Sequence, residues 1–421
     1  MIVYKFGGAS VRNAAAIKNV AGILASTEAE HVVIVQSALG KMTNHLEHLW
    51  RAWTEREPVE ALFEAFKKYH LDIAKELELK EAALGPLTEM FRELSSILLQ
   101  SPPKQADQAY DQLVSWGELI GTRLVHIALE SAGLPIEWVD IRHVLRTDNT
   151  HRSAEVDWEK SRRQADILKA HFEPGERNMV LTQGFIAQSA FGHTTTLGRE
   201  GSDYTAAILA YLLDARSVTI WKDVPGMLNA DPKWFNNTVM IPALSYKEAI
   251  ELSYYGASVI HPKTIKPLQN KGIPLFVKGF LSPADKGTVI SENYEHLHPV
   301  PMYIFKPDQI LISISPRDFS FIVESNLRDI FEAFAIVGLR INLMQNSAIS
   351  FSVCVDEDME RISRFIDLMS THYAIRYNQE VELLTIRHYD ENTVRQLAQG
   401  KEILLEQKSR HTMRMVLRKK M

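Results

Sequence analysis

The sequence predicts an α/β protein with a parallel sheet, followed by smaller α+β modules. Three observations carry this expectation. A β-branched strand at Met1–Phe6, an amphipathic helix over Asn13–Ser26 and an apolar run at His31–Gln36 make a strand–helix–strand unit, which parallel pairing satisfies. Further strand-like runs at Glu137–Ile141, Met179–Thr182, Ser217–Trp221 and Ile273–Val277 alternate with helical stretches at Ser202–Asp214 and Tyr246–Tyr255. Beyond residue 308 the order becomes strand, helix, strand, strand, helix, strand, the ferredoxin-like arrangement.

Taken in order, the first helix shows Ile17, Val20, Ile23 and Leu24 on one stripe. Residues 44–115 are helical in period, with Leu62, Phe66, Tyr69, Ile73 and Leu77 on an apolar face. Ser101-Pro102-Pro103 interrupts this region, and a helix is predicted to resume over Asp107–Glu130. Asn293–Pro301, with two prolines and two histidines, reads as a linker. After it come strands at Gln309–Ser315, Arg340–Met344 and Ile349–Val355, with helices at Ser325–Val337 and Met359–His372. A shorter tail has a strand at Glu382–Arg387, a helix at Asn392–Gln399 and strands at Ile403–Gln407 and Met413–Leu417. The expected division is 1–293, 302–378 and 379–421, the last module abbreviated. The basic end, Arg410–Lys420, reads as an exposed strand edge.

Composition narrows the class. The 421 residues are 46% hydrophobic and 24% charged, with a formal net charge of -5, an ordinary balance that points to neither nucleic acid nor anionic membrane. One cysteine, Cys354, excludes an intramolecular disulfide framework and a multi-thiolate metal site. No run approaches the roughly 18 apolar residues of a membrane span. Lys5 and glycines stand where a signal peptide would be apolar, so a cytoplasmic location is expected.

Four polar clusters fall after predicted strands, where open α/β sheets bind ligands. Lys5-Phe6-Gly7-Gly8-Ala9-Ser10 delivers a lysine into a paired-glycine turn, which suits a phosphate cradle or a plain β-turn. Gln36–Thr43 follows a buried strand; it lacks the first P-loop glycine, and Met42 takes the hydroxyl position, leaving a substrate loop or an ordinary one. Thr194–Thr205 gathers hydroxyls, glycines, Arg199 and Asp203 at a helix start, where anions are favoured; simple capping by Ser202 or Asp203 would explain only part of it. Trp221–Lys233 is a Pro-Gly turn with charges that suits a nucleotide or solvent. No GxGxxG occurs, so a Rossmann dehydrogenase is excluded. Glu47 between His45 and His48 has the wrong spacing for a zinc pair and reads as a solvated helix face.

In family order the segments KFGGAS (5–10), WGELIGTRL (116–124), IRHVLRTD (141–148), TQGFIA (182–187), TTTLGREGSDYTAA (194–207), WKDVPGMLNADP (221–232) and GASVIHPKT (256–264) resemble the aspartate kinases of the amino-acid kinase superfamily. The resemblance implies an αβα-sandwich kinase domain followed by ferredoxin-like ACT modules. It implies phosphorylation of the L-aspartate β-carboxylate by ATP, giving 4-phospho-L-aspartate on the route to lysine, threonine and methionine. A carboxylate is already ionised at neutral pH, so such a reaction needs alignment and charge stabilisation more than a strong base.

The same resemblance assigns roles. Lys5 would be the catalytic cation and Asp203 the acid that orients it. Phe6, Gly7 and Gly8 would serve the phosphates, with Ser37, Lys222, Asp223, Leu228, Lys233 and Ser258 on the nucleotide side. Arg199 would hold the α-carboxylate, Glu118 the α-ammonium and Thr43 a further hydrogen bond, beside Glu200, Gly201 and Ser202. Mg²⁺ would ride on the ATP phosphates rather than in a protein cage. Lysine or threonine is the implied effector, and a homodimer through residues 302–421 the implied assembly. Ala9, Lys222, Leu228 and Ser258 depart from the family's usual threonine, threonine, tyrosine and lysine, and Ala348 from a frequent acidic residue. Two alternatives remain: a kinase for glutamate or acetylglutamate, and an amino-acid sensor without turnover.

Overall fold

The computed structural model describes residues 1–257, 260–292, 300–318 and 320–420. Ser258 and most of the expected linker, 293–299, lie outside these residues. Two compact units divide the chain. The first comprises Met1–Met227, Met240–Ile250 and the described part of 258–295; the second comprises Leu228–Val239, Glu251–Ala257 and the described part of 296–421.

The first unit opens with β1 (Ile2–Phe6), a 3-10 turn at Gly8–Val11, α1 (Ala14–Ala25) and β2 (His31–Gln36). Asn13 caps α1, its Oδ1 accepting the Ala16 N–H at 2.9 Å. The helical region is α2 (Met42–Glu55), α3 (Glu60–Glu76), α4 (Gly85–Leu98), α5 (Ala106–Val114) and α6 (Trp116–Ser131). Then come β3 (Ile136–Val139), β4 (Arg146–Thr147), α7 (Trp158–Gln164), α8 (Asp166–Lys169), β5 (Asn178–Gln183), β6 (Ile186–Ser189) and β7 (Thr194–Thr196). They are followed by α9 (Gly201–Leu212), β8 (Val218–Lys222), β9 (Ala243–Ser245), α10 (Tyr246–Tyr255, of which the part from Glu251 is assigned to the second unit), α11 (Pro262–Lys271), β10 (Leu275–Gly279) and β11 (Thr288–Ser291).

Eight of these strands form one sheet in the order β3-β5-β2-β1-β8-β10-β11-β9. Every pairing is parallel except β10 with β11. The central strands are apolar because both faces are covered: Val32, Val33, Ile34 and Val35 are all buried. Lys5 faces α9 through Asp203, whereas Ile2 and Tyr4 share the opposite face with Ile23 of α1. The layers are therefore helix, sheet, helix, as expected. At β1 the strand order reverses, with β2 on one side and β8 on the other, and the crevice at the carboxyl ends of such strands is where ligands bind.

Several local expectations are corrected. The single helix over Asp107–Glu130 is two, α5 and α6, which meet at Ser115. Asp111 on α5 is wholly buried and accepts hydrogen bonds from Thr196 and Arg152, so α5 is oriented by that network instead of by its apolar stripe alone. The short strands β4, β6, β7, β9 and β11 carry too few residues for period to register. Glu47 is not a solvated helix face: the Tyr110 hydroxyl donates to its Oε1 at 2.8 Å.

The second unit contains β12 (Met302–Pro316), α12 (Glu324–Val337), β13 (Ile341–Asn346), β14 (Phe351–Asp356), α13 (Met359–Met369), β15 (Tyr373–Arg387), α14 (Glu391–Ala398), β16 (Lys401–Lys408) and β17 (Thr412–Lys419). Its six-stranded sheet runs β13-β14-β12-β15-β17-β16, antiparallel throughout. The first four strands have the ferredoxin-like order. Ile310, Ile312 and Ile314 of β12 pack with Phe334 of α12 and Phe365 of α13, whose rings stack at 4.2 Å. The pairing refines the proposed division at residue 378. Met302–Lys306 pairs with residues 383–387 of β15, so the start of β12 supplies a fourth strand beside β15, β17 and β16. Nor is Arg410–Lys420 an edge. β17 lies between β15 and β16, and its Arg418 pairs with Glu402 of β16 at 2.7 Å.

Candidate active site

The carboxyl ends of β1, β2 and β8 and the start of α9 surround a cavity of about 470 Å³. It is lined by Lys5, Ser37, Thr43, Glu118, Arg199, Glu200, Gly201, Ser202, Asp203 and Lys222, together with Tyr110, Arg152, Phe185 and Gly198. The first ten had been picked out in the sequence, from segments up to 217 residues apart. A larger groove of about 840 Å³ lies on the sheet face over Ile2, Tyr4, Thr219 and Phe276. It gathers none of these charges, so the chemistry belongs to the smaller cavity.

Each side chain has a local reason for its place. Lys5 is delivered by β1, which pairs with β2 and β8 on either side. Its Nζ lies 2.6 Å from Oδ1 of Asp203, and both residues are buried. Asp203 sits in the first turn of α9, where the helix dipole favours a carboxylate. Lys222, at the end of β8, lies 3.6 Å from its other oxygen. Burial alone would raise the Asp203 pKa, but the two lysines outweigh it and hold the carboxyl below its ordinary value. The start of α9 is formed by Glu200, in the left-handed region at φ 55°, and neither Ser202 nor Asp203 caps it. Both are thus available to the cavity.

Glu118 occupies the first turn of α6. Gly117 and Gly121 let this helix approach the Ala38-Leu39 loop: a Cβ on Gly117 would lie 3.1 Å from that of Ala38, and one on Gly121 2.5 Å from Leu39 Cδ1. The close approach lets Glu118 Oε1 accept the Ala38 N–H at 3.2 Å. Its Oε2 is buried without a hydrogen-bond partner. Burial pushes the Glu118 pKa up to about 8, the Ala38 N–H opposing it. A buried carboxylate with a free oxygen is poised for an incoming cation.

The glycine turn differs from the simple phosphate cradle expected. Gly8 is required by packing: a Cβ there would meet Gly40 O at 2.5 Å and Ala38 O at 3.0 Å, and Gly40 N–H donates to Gly8 O at 3.0 Å. Ser10 is buried and donates to Trp221 O. The Phe6 ring is core, stacked on Trp221 at 6.0 Å. Gly7 remains beside Lys5, its hypothetical Cβ 3.2 Å from Nζ. Asp223 is exposed just after β8. Leu228 and Lys233 belong to the second unit, where the Lys233 ammonium lies 5.1 Å over the Trp234 ring. Tyr110, Arg152 and Phe185 were not singled out in the sequence. Tyr110 reads there as an ordinary helix residue, and a left-handed arginine leaves no signature.

Comparison with known proteins identifies the family and the fold. The sequence profile of the "Amino acid kinase family" matches residues 1–279. The bifunctional aspartokinase/homoserine dehydrogenase 2 of Arabidopsis thaliana, a chloroplastic protein, is 30% identical over 386 residues, covering 88% of this chain and 42% of that protein. Two such proteins of Zea mays are covered to 39%, so the chain spans about two fifths of these bifunctional relatives. Lysine-sensitive aspartokinase 3 of Escherichia coli is 29% identical over 357 residues, 85% of this chain and 78% of that one. The crystal structure of E. coli aspartokinase III with aspartate and ADP superposes with a TM-score of 0.81 at 26% identity, covering 99% of this chain and 96% of that one. Its complex with lysine and aspartate gives 0.82 at 25%. The profile covers the whole span that builds the eight-stranded sheet up to β10 and the cavity at its carboxyl edge, and this chain belongs to the amino acid kinase family.

Proposed function

We propose that the chain is an aspartate kinase, transferring the γ-phosphoryl group of ATP to the β-carboxylate of L-aspartate. The observation that carries this reading is one cavity holding both the buried Lys5–Asp203 pair and the unpartnered oxygen of Glu118. One end is built to neutralise phosphoryl charge and the other to take an ammonium group.

In the proposed reaction a β-carboxylate oxygen forms the new O–P bond as the bond from the β,γ-bridging oxygen breaks, and ADP leaves with the electron pair. Lys5 stabilises the charge on the transferring group, and Asp203 keeps its ammonium aimed. Lys222 adds a second cation beside Asp203. Glu118 takes the α-ammonium, Arg199 the α-carboxylate and Thr43 a hydrogen bond, while Ser37 and Asp223 serve the nucleotide. Among the described residues no three His, Cys, Asp or Glu side chains gather as a protein-held metal would need. The Mg²⁺ that accompanies ATP is assigned in this proposal to its phosphates, where it would add charge neutralisation. A homodimer through the second unit, with lysine or threonine as effector, belongs to the same proposal.

The test is ATP consumption with hydroxylamine trapping of the acyl phosphate, using aspartate, glutamate or acetylglutamate as acceptor. Hydroxamate is expected with aspartate. None with aspartate, but product with another acceptor, would assign the chain to that substrate; none with any would favour a sensor. Lys5→Ala is expected to lose at least about a thousandfold in kcat while still binding aspartate, and substantial residual turnover would refute its role.

A further inference from the structure

Arg152 is the unexplained cation of the cavity. It lies in the loop between β4 and α7, at φ 64°, a left-handed conformation that is strained for a non-glycine residue. The loop is held there from below. The Arg152 N–H donates to both carboxylate oxygens of buried Asp111, at 3.1 and 3.0 Å. The same carboxylate accepts the Thr196 N–H at 3.1 Å and hydroxyl at 2.7 Å, and contacts His151 Nδ1 at 2.9 Å. A glycine would adopt this backbone without strain, so the side chain needs a reason of its own.

The guanidinium lies 4.2 Å over the ring of Tyr110, another residue of the cavity wall, which is anchored by its bond to Glu47. Its ion pair with Asp107 does not supply the reason. That contact is 3.4 Å long, with the two side chains 47% and 61% exposed, a geometry worth little in water. Charge at the cavity does supply one. Lys5, Arg152, Arg199 and Lys222 face Glu118, Glu200 and Asp203 there, four cations against three acids. With Glu118 ionised, as it must be to take an ammonium group, the two signs balance without Arg152. An acidic amino acid brings two carboxylates and one ammonium, a net negative charge.

We infer that Arg152 is a second substrate-recognition arginine, which together with Arg199 makes the cavity selective for an acidic amino acid. This rests on the aspartate-kinase reading above. Asp111 is its positioning residue, holding the left-handed loop from which the arginine reaches the cavity wall. A guanidinium stacked on an anchored ring loses little freedom when it engages a carboxylate.

The experiment is Arg152→Gly, which keeps the backbone conformation and removes only the side chain, with Arg152→Lys beside it. Lys68→Ala, an exposed lysine on α3, controls for loss of one positive charge. The expected result for Arg152→Gly is a KM for aspartate raised about three- to tenfold, with kcat and the KM for ATP within about twofold. The rise should shrink at high salt, and the lysine variant should recover part of it. An unchanged KM for aspartate, an equal rise in the KM for ATP, or the same rise in Lys68→Ala would overturn the inference. Calorimetric titration with aspartate separates this from the function itself. A wild-type chain that binds aspartate without turning it over refutes the kinase reading, while the Kd ratio of wild type to Arg152→Gly still decides the role of Arg152.

Discussion

If the chain is the aspartate kinase proposed above, Glu118 makes aspartate binding a pH-dependent event whose size follows from the structure. Its carboxyl is buried in the first turn of α6, accepts one N–H, and has its pKa pushed up to about 8. Only the ionised form offers a full negative charge to an α-ammonium group. At pH 7 about one molecule in ten is therefore ready to bind, at pH 8 about half, and at pH 6 about one in a hundred. Apparent affinity scales with the competent fraction, so the Kd for aspartate should fall about fiftyfold between pH 6 and pH 8. Binding at pH 7 should release close to one proton, which calorimetry in buffers of different ionisation enthalpy reads directly. Stability carries the same signature with a definite sign. Between about 4.5 and 8 the folded state keeps a proton that the unfolded chain has lost, so unfolding free energy falls as pH rises through this window. The full shift corresponds to at most about 5 kcal/mol. Glu118→Gln should abolish both slopes, weakening aspartate binding while making the free protein more resistant to urea above pH 8. A Kd that changes less than threefold from pH 6 to pH 8, or a glutamine variant with the wild-type slope, would refute the reasoning.

Two further outcomes are expected. Gly8→Ala should destabilise by about 1–3 kcal/mol in urea unfolding, because its Cβ must displace the Gly40 carbonyl; Gly22→Ala in α1, with nothing within 4 Å, should be stabilising by about 0.5–1 kcal/mol. Equal effects at the two positions would show that the turn has no special packing. The full chain should scatter light as a dimer, and residues 1–292 alone as a monomer, with lysine or threonine lowering activity of the full chain only; a dimeric short chain would place the interface within residues 1–292.

Much of the site was legible because its chemistry is concentrated in short segments. Lys5 comes from one strand, Glu118 from the glycine-flanked start of one helix, and Arg199 through Asp203 from one helix entrance. Hydrophobic period located the long elements, from the buried run of β2 to the stripe of α12. It failed where few residues carry the pattern, as in β4, β6 and β7, and at Ser115, where α5 and α6 meet without a break in the apolar period. Gly8 was read as a ligand-facing glycine, yet what demands it is the backbone of Gly40.

The residue types and their order determined the family, the parallel sheet and the charges that line the cavity, because these depend on local propensity and on side-chain chemistry. Tertiary structure alone decided how those charges act. Burial leaves one oxygen of Glu118 unpaired, two lysines converge on Asp203, and a left-handed loop held by Asp111 turns Arg152 towards the cavity. These are effects of desolvation and distance between segments far apart in the chain. Pairing across the second unit likewise joins residues 302–306 to strands more than 70 residues later, a relation that no local pattern encodes.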